Sequence, residues 1–161
     1  MSFFLNGIRV PHRKSTEGCP AARLTDVKSV TIPMAMHIGS PSTPTVKVGD
    51  YVQVGSVIAE ASGSFSVPCH ASVSGKVTKV AEFPHVSGTK CLAVTIESDG
   101  EMTPCEGITP PVVGSREDLV SAIRSSGVVG LGGAGFPTHV KWNVDPCRIE
   151  ELIINGAECE P

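Results

Sequence analysis

Short apolar runs alternate with polar residues between positions 32 and 96, and Gly, Pro, Ser and Asp separate the runs. Alternation with a period of two predicts strands that bury one face, and the separating residues are typical of turns. The runs with this pattern are 46–48, 52–54, 57–59, 67–70, 73–80 and 94–96. Because no stretch of this region keeps helical spacing, the sequence predicts a β-rich module with a hairpin near Gly63.

The pattern changes to helical spacing after residue 115. Three apolar side chains share one face of the predicted helix: Leu119, Val120 and Ile123. Ser115, followed three residues later by Asp118, resembles a capping box, and Gly127 stands where a helix commonly ends. The sequence therefore predicts one helix, at about 116–126.

Residues 101–114 contain three prolines and no clear periodicity, which is typical of a linker between domains. A chain of 161 residues has room for a small domain and part of a second one. We therefore divide it into an N-terminal arm (1–30), a β domain (31–100), a linker (101–114) and the beginning of an α/β domain (115–161). The predicted fold class is α+β with more than one domain.

A glycine loop follows the predicted helix, and Lys141 follows the loop. Four of its six residues are glycine: Gly130, Gly132, Gly133 and Gly135, with Leu131 and Ala134 between them. Glycines let backbone N–H groups approach an anion closely, and a lysine nearby would meet a phosphate. The loop is therefore a candidate nucleotide-phosphate site. The alternative is a glycine turn that serves close packing only.

A short apolar run at 151–154 predicts a buried parallel strand, and polar residues follow it directly. Asn155, Glu158 and Glu160 would then lie at the carboxyl end of that strand, where open α/β sheets bind ligands. The sequence predicts that they share one crevice with the glycine loop. For the two glutamates a solvated acidic turn is an equally good interpretation.

Two familiar nucleotide motifs do not fit the glycine loop. It satisfies the G-x-G-x-x-G spacing of dinucleotide-binding folds, but a helix precedes it and Phe136-Pro137 follows at once, where that motif requires a strand before and a long helix after. The Gly-Lys-Ser/Thr ending of a phosphate-binding Walker loop is also missing.

Composition excludes several classes of function. The net charge of −3 gives no general attraction to nucleic acid. The segment at 29–46 lacks the character of a membrane span because prolines interrupt it, and the first residues lack the basic and apolar regions of a secretory signal. We therefore expect a cytosolic protein with no direct membrane span.

The six cysteines are scattered without any C-x-x-C spacing, so no metal site is predicted. We expect them to be small buried apolar side chains, as free cysteines in cytosolic proteins commonly are. His37 and His70 are isolated from acidic and thiol partners in sequence, and we interpret both as structural.

The β region resembles the biotinyl/lipoyl-carrier fold, a barrel-sandwich hybrid. The resemblance rests on Val-Lys-Val-Gly-Asp at 46–50, Ile-Ala-Glu at 58–60 and His-Ala-Ser-Val-Ser-Gly at 70–75. In that family a lysine at the hairpin tip carries the prosthetic group, whereas the tip here, residues 61–66, has none. A carrier function is therefore disfavoured.

The chain as a whole resembles the C subunit of the Rnf electron-transport complex. The residues that carry the resemblance are Gly-Val-Val-Gly-Leu-Gly-Gly-Ala-Gly-Phe-Pro-Thr-His-Val-Lys at 127–141 and Ile-Ile-Asn-Gly-Ala-Glu-Cys-Glu-Pro at 153–161. That family is also similar to the NADH-binding flavin subunit of respiratory complex I. Leu131 and Ala157 depart from the complex I version, which usually has arginine and aspartate there, so not all nucleotide contacts carry over.

The resemblance implies a non-covalent FMN and a set of residues that hold it. Gly130, Gly132, Gly133, Ala134, Gly135 and Lys141 would lie near its phosphate, and Asn155 and Glu158 near its ribityl chain and ring. Phe136 and Glu160 would face NADH. The implied chemistry is hydride transfer between NADH and flavin, with no catalytic side chain acting as acid or base.

Members of that family continue past position 161 and carry paired cysteine motifs for iron–sulfur clusters, so the resemblance implies that this chain is the N-terminal part of a longer subunit and is inactive alone. It also implies other complex subunits as partners, ferredoxin indirectly, and a peripheral location on the inner membrane face. Two alternatives stay open: a non-enzymatic β module that docks partner subunits, and a soluble electron-transfer flavoprotein built on the same flavin domain.

Overall fold

A computed structural model describes residues 11, 15–24, 26–130 and 135–153. Within these residues the chain forms strands first and helices afterwards. The strands are β1 (Ser29–Pro33), β2 (Thr43–Pro44), β3 (Tyr51–Val52), β4 (Val57–Glu60), β5 (Cys69–His70), β6 (Gly75–Pro84) and β7 (Lys90–Ser98). The helices are α1 (Arg116–Ser125), α2 (Thr138–Trp142) and a 3-10 turn at Pro146–Arg148.

The strands form two antiparallel sheets. The larger sheet has the order β1-β7-β6-β3 and the smaller one the order β2-β4-β5. The longest pairing joins β6 and β7, from Gly75 opposite Ser98 to Pro84 opposite Lys90, with a register shift between Val77 and Lys79. The β-rich module predicted for this region is confirmed.

One apolar core lies between the two sheets. Ile58 of β4 belongs to the smaller sheet, Val77 of β6 and Ile96 of β7 belong to the larger one, and all three are fully buried. Met34, just after β1, is equally buried in the same cluster. Because both sheets contribute to one cluster, the module is a sandwich held together by burial of apolar surface.

The α1 helix begins and ends where the sequence predicts. The Ser115 hydroxyl accepts a hydrogen bond from the Asp118 N–H at 3.1 Å, which satisfies one of the free amides of the first turn. Gly127 follows the helix with φ +71°, and its N–H donates to the Arg124 carbonyl at 3.1 Å. Both caps are local to the helix, which explains why sequence spacing revealed them.

The segment after β7 is fastened to the sandwich. Asp99 accepts hydrogen bonds from the Tyr51 hydroxyl at 2.6 Å and the Ser74 hydroxyl at 2.7 Å. Further on, the Val54 N–H donates to the Thr103 carbonyl at 2.9 Å. The first residues after Asp99 therefore lie against the module.

Two strand predictions are wrong. Residues 46–48 form no strand, and the chain turns at Val48 and Gly49. Residues 151–153 are also outside any strand, and Leu152 and Ile153 are exposed. A buried strand needs neighbours on both sides, and the described residues place none there. Ile154 lies outside the described residues.

The prediction that the cysteines are buried is also wrong for most of those described. Cys69 is buried, Cys91 and Cys105 are partly exposed, and Cys19 and Cys147 are exposed. All five carry free thiols. Burial of a cysteine depends on the tertiary position of its strand or loop, and sequence spacing carries no information about that.

Candidate functional site

The ends of the glycine loop are joined by backbone hydrogen bonds. The Gly130 N–H donates to the Phe136 carbonyl at 2.9 Å, and the Thr138 N–H donates to the Val128 carbonyl at 3.1 Å. These bonds close a narrow stem, which holds the two ends of the loop side by side. The stem thus fixes where the loop leaves and re-enters the structure.

Lys141 reaches back to this stem from α2. Its Nζ lies 5.6 Å from the centroid of the Phe136 ring, within the range of a cation–π contact. A Cβ atom built on Gly130 would lie 3.6 Å from the same Nζ and 3.7 Å from the Phe136 nitrogen. The ammonium group therefore stands directly beside the entrance of the glycine loop.

Four of the predicted site residues are brought together in this way: Gly130, Gly135, Phe136 and Lys141. The other six lie outside the described residues: Gly132, Gly133, Ala134, Asn155, Glu158 and Glu160. The expected meeting of the loop with the segment after residue 154 therefore stays a prediction.

His139 was not anticipated from the sequence. It is 6% exposed, and its Nε2–H donates to the Ser64 carbonyl at 2.8 Å. Within the described ranges Nδ1 has no hydrogen-bond partner. Because Ser64 is 75 residues away along the chain, no local sequence signal predicts this contact.

A cleft of about 500 Å³ lies between α1, α2 and the loop that follows β4. Arg116 at its edge donates to the Asn143 side-chain oxygen at 3.0 Å. Arg124 donates to the Gly63 carbonyl at 2.7 Å. The first of these hydrogen bonds joins α1 to the end of α2, and the second joins α1 to the sandwich.

Three buried polar side chains, Cys69, Ser42 and His37, form a group in the sandwich, in which the Cys69 thiol donates to the Ser42 hydroxyl at 3.5 Å. The Ser42 hydroxyl donates to the Val67 carbonyl at 2.8 Å, and the Val67 N–H points at His37 Nε2 at 3.3 Å. Burial raises the pKa of the Cys69 thiol, which disfavours the reactive thiolate. The Ser42 hydroxyl and the His37 imidazole both bond backbone groups, an arrangement compatible with the structural interpretation of His37.

Among the residues that the structure describes, no group of three His, Cys, Asp or Glu side chains is arranged to hold a metal ion. In the same residues, no helix combines the length and the apolar character needed to cross a membrane.

The described ends of the loop combine glycines with a positive charge. The Lys141 ammonium lies beside Gly130 and over the Phe136 ring, and a cation at a glycine loop is a feature that anion sites use. The fold and the site thus define a protein in which a β sandwich supports a glycine loop with a lysine at its entrance.

Comparison with protein families identifies this class. Residues 2–101 match the RnfC barrel sandwich hybrid domain, and residues 123–161 match the Nuo51 FMN-binding domain. The chain therefore belongs to the RnfC family. The predicted fold class, a barrel-sandwich hybrid followed by the beginning of an FMN-binding domain, is confirmed.

Two curated relatives are subunits of ion-translocating oxidoreductase complexes. The chain is 48% identical to the C subunit of the Na(+)-translocating ferredoxin:NAD(+) oxidoreductase complex of Acetobacterium woodii, over 98% of this chain and 37% of the relative. It is 42% identical to the C subunit of the proton-translocating ferredoxin:NAD(+) oxidoreductase complex of Clostridium ljungdahlii, over 82% of this chain and 30% of the relative. The chain thus spans about a third of the length of these relatives.

Proposed function

We propose that this chain binds FMN at its glycine loop and belongs to an electron-transfer subunit that exchanges electrons between NAD(H) and FMN. The observation that carries the proposal is the placement of Lys141 beside the closed stem of the loop, with Nζ 5.6 Å from the Phe136 ring. The match of residues 123–161 to an FMN-binding domain supports flavin as the ligand.

The loop and Lys141 would hold the phosphate end of FMN. Backbone N–H groups within the loop, after the Gly130 amide that closes the stem, would donate to phosphate oxygens, and the Lys141 ammonium would neutralise part of the charge. Gly130 and Gly135 are described at the two ends of this loop. Gly132, Gly133 and Ala134 would complete the cradle.

The remaining contacts are inferred from the family resemblance. Asn155 and Glu158 would lie near the ribityl chain and ring, and Phe136 and Glu160 would face the nicotinamide nucleotide. Phe136 is partly buried next to the loop and is held on one side by Phe65, at 5.9 Å between ring centroids. Its position beside the proposed phosphate site is compatible with that role.

A bound flavin would supply the redox chemistry, hydride transfer with NAD(H) and one-electron transfer with other centres. The residues of this chain would bind and orient it. Iron–sulfur clusters that exchange electrons with it would belong to the part of the subunit that corresponds to the remaining length of the relatives.

The relatives are subunits of ferredoxin:NAD(+) oxidoreductase complexes, so the family is one of oxidoreductase components. We infer that the partners of this chain are the other subunits of such a complex, that ferredoxin exchanges electrons with it indirectly, and that it lies peripherally on the inner face of the membrane. We also infer that the 161-residue chain does not oxidise NADH unaided.

A docking module for partner subunits is the second candidate. The sandwich has its own buried core and presents apolar side chains to solvent, including Val86 at the β6–β7 turn, which is 99% exposed. A separate soluble flavoprotein on the same flavin domain is less well supported, because residues 2–101 match the RnfC sandwich domain itself.

Titration of the purified chain with FMN, followed by flavin fluorescence, separates these candidates. The flavin proposal predicts saturable quenching, and the FMN-loaded chain should still fail to reduce a dye with NADH. Absence of quenching at high protein concentration would favour the docking module. Dye reduction by the loaded chain would contradict the inference that the chain is inactive alone.

A further inference from the structure

Residues 61–66, the first part of the loop between β4 and β5, are packed against α1, α2 and Phe136. This segment is called the brace below, and Phe136 directly follows the glycine loop. The brace belongs to the sandwich, whereas its three partners lie at least 61 positions later in the sequence: Arg124, Phe136 and His139. The brace is therefore a long-range contact between the two parts of the chain.

Two adjacent carbonyl groups of the brace accept hydrogen bonds from different helices. The Gly63 carbonyl accepts from Arg124 of α1 at 2.7 Å, and the Ser64 carbonyl accepts from His139 of α2 at 2.8 Å. The His139 bond is shielded from water, since that side chain is 6% exposed. The brace thus fixes α2, the helix that carries Lys141.

Phe65, the next residue of the brace, meets Phe136 edge to face. Their ring centroids are 5.9 Å apart and their planes are inclined by 83°, the geometry that aromatic pairs prefer. The Lys141 ammonium lies over the same Phe136 ring. A continuous chain of contacts therefore runs from Phe65 through Phe136 to Lys141.

Close backbone contacts hold two glycines on the sandwich: Gly127, which follows α1, and Gly135, which ends the glycine loop. A Cβ on Gly127 would lie 2.7 Å from the Pro68 carbonyl oxygen, and one on Gly135 would lie 2.8 Å from the Met36 carbonyl oxygen. Both glycines also have positive φ, +71° and +63°. Only glycine meets the steric and the conformational requirement at these two positions.

We propose that the brace positions the glycine loop and Lys141, so that the sandwich sets the affinity of the phosphate site, with Phe65 as the principal positioning residue. The proposal rests on the proposed function for the identity of the ligand, FMN. Phe65 contacts no reacting atom; it acts through Phe136 and Lys141. Loss of its ring frees the stem of the glycine loop.

The test compares Phe65→Ala with Phe83→Ala in the whole chain. Phe83 on β6 is a matched control because it is 43% exposed, against 44% for Phe65, and lies outside the brace. Phe65→Ala should weaken FMN binding about three- to tenfold, the loss that an aromatic pair accounts for. Phe65→Tyr, which keeps the ring, should restore affinity, and Phe83→Ala should bind FMN like the wild type.

Amide hydrogen exchange without any flavin gives a second readout. The Gly130 and Thr138 amides close the stem, and they should exchange faster in Phe65→Ala and return to the wild-type rate in Phe65→Tyr. The Val77 amide, bonded to the Asp50 carbonyl inside the sandwich, should keep its protection and so report that the module is folded. Arg124→Ala removes the bond to the Gly63 carbonyl from the helix side and should speed exchange in the same way.

The outcomes separate the two proposals. If Phe65→Ala speeds exchange of the stem amides but the wild-type chain binds no FMN, the role of the brace is supported and the proposed function is contradicted. Unchanged stem exchange and unchanged FMN affinity in both Phe65→Ala and Arg124→Ala overturn the brace. If Phe65→Ala also loses protection at Val77, Arg124→Ala alone decides by the same two readouts.

Discussion

At the scale of single residues, the side chains that organise the site find their partners far away in sequence. His139 and Arg124 each donate to a backbone carbonyl of residues 61–66. The hydroxyl of Ser115, in contrast, bonds an amide three residues on. Sequence reasoning found the local contact and missed both long-range ones, because only the local one leaves a fixed spacing.

The glycine loop and Lys141 were singled out for a different reason. Glycine density and a nearby cation are visible as composition, and composition already predicts an anion site. The hydrogen bonds that close the stem and the position of Lys141 over the Phe136 ring require the folded chain. Sequence therefore singled out four residues that the structure brings together, Gly130, Gly135, Phe136 and Lys141, but it did not show how they are held.

Asp99 gives a prediction for pH dependence. Hydrogen bonds from Tyr51 and then Ser74 lower the pKa of Asp99 below its ordinary value of 3.8. A carboxyl whose pKa is lowered on folding stabilises the fold above its unfolded pKa, and that contribution disappears as pH falls through the folded pKa. The Asp99→Asn variant should thus be less stable than wild type at pH 7.

Urea denaturation between pH 7 and pH 2 measures this effect. The gap between the wild-type and Asp99→Asn midpoints should be constant above about pH 5 and should narrow as the pH falls below 3.8. Glu106→Gln removes one exposed carboxylate elsewhere and serves as the charge-matched control. A gap between wild type and Asp99→Asn that stays constant down to pH 2 would contradict the account.

At the scale of elements, the prediction of α1 is confirmed, whereas the strand predicted at 151–154 is missing from residues 151–153, the part that the structure describes. A helix satisfies its own backbone hydrogen bonds, so its caps and apolar face identify it from sequence alone. A strand depends on neighbours, and the apolar run at 151–153 is exposed without a sheet beside it in the described structure. Residues 46–48 likewise show strand-like alternation without forming a strand.

The end of α1 gives a prediction at this scale. An alanine at Gly127 would have to adopt φ +71° and would place its Cβ 2.7 Å from the Pro68 carbonyl oxygen. Backbone strain alone costs about 1 kcal/mol, and the contact adds to it by pushing α1 away from the sandwich. We expect Gly127→Ala to lower the free energy of unfolding by roughly 2 kcal/mol or more.

Gly100→Ala is the matched control for this measurement. Gly100 has a similar φ of +80°, but a Cβ there would meet nothing within 4 Å. Thermal or urea unfolding should therefore show a loss of about 1 kcal/mol for Gly100→Ala and a larger one for Gly127→Ala. Equal losses of unfolding free energy in the two variants would show that the close approach of Gly127 to Pro68 does not contribute to stability.

At the scale of the whole molecule, the sandwich is the platform on which the glycine-loop segment rests. The hairpin tip at residues 61–66, which lacks the lysine of a carrier domain, is turned towards Phe136 and α2. The two family matches, 2–101 and 123–161, meet at this contact. The sequence resemblance predicted both parts, and the way they touch became visible only in the structure.

The central claim is that the glycine loop and Lys141 hold the phosphate of FMN. The most direct test is the ratio of the dissociation constants of riboflavin and FMN, measured by fluorescence quenching for the wild type, Lys141→Ala and, as a control, Lys79→Ala on β6. The wild type and the control should bind FMN more tightly than riboflavin. Lys141→Ala should bind FMN about tenfold more weakly, because one charge-assisted contact to the phosphate is lost. Its affinity for riboflavin, which has no phosphate, should not change. A preference for FMN that survives unchanged in Lys141→Ala would contradict the claim.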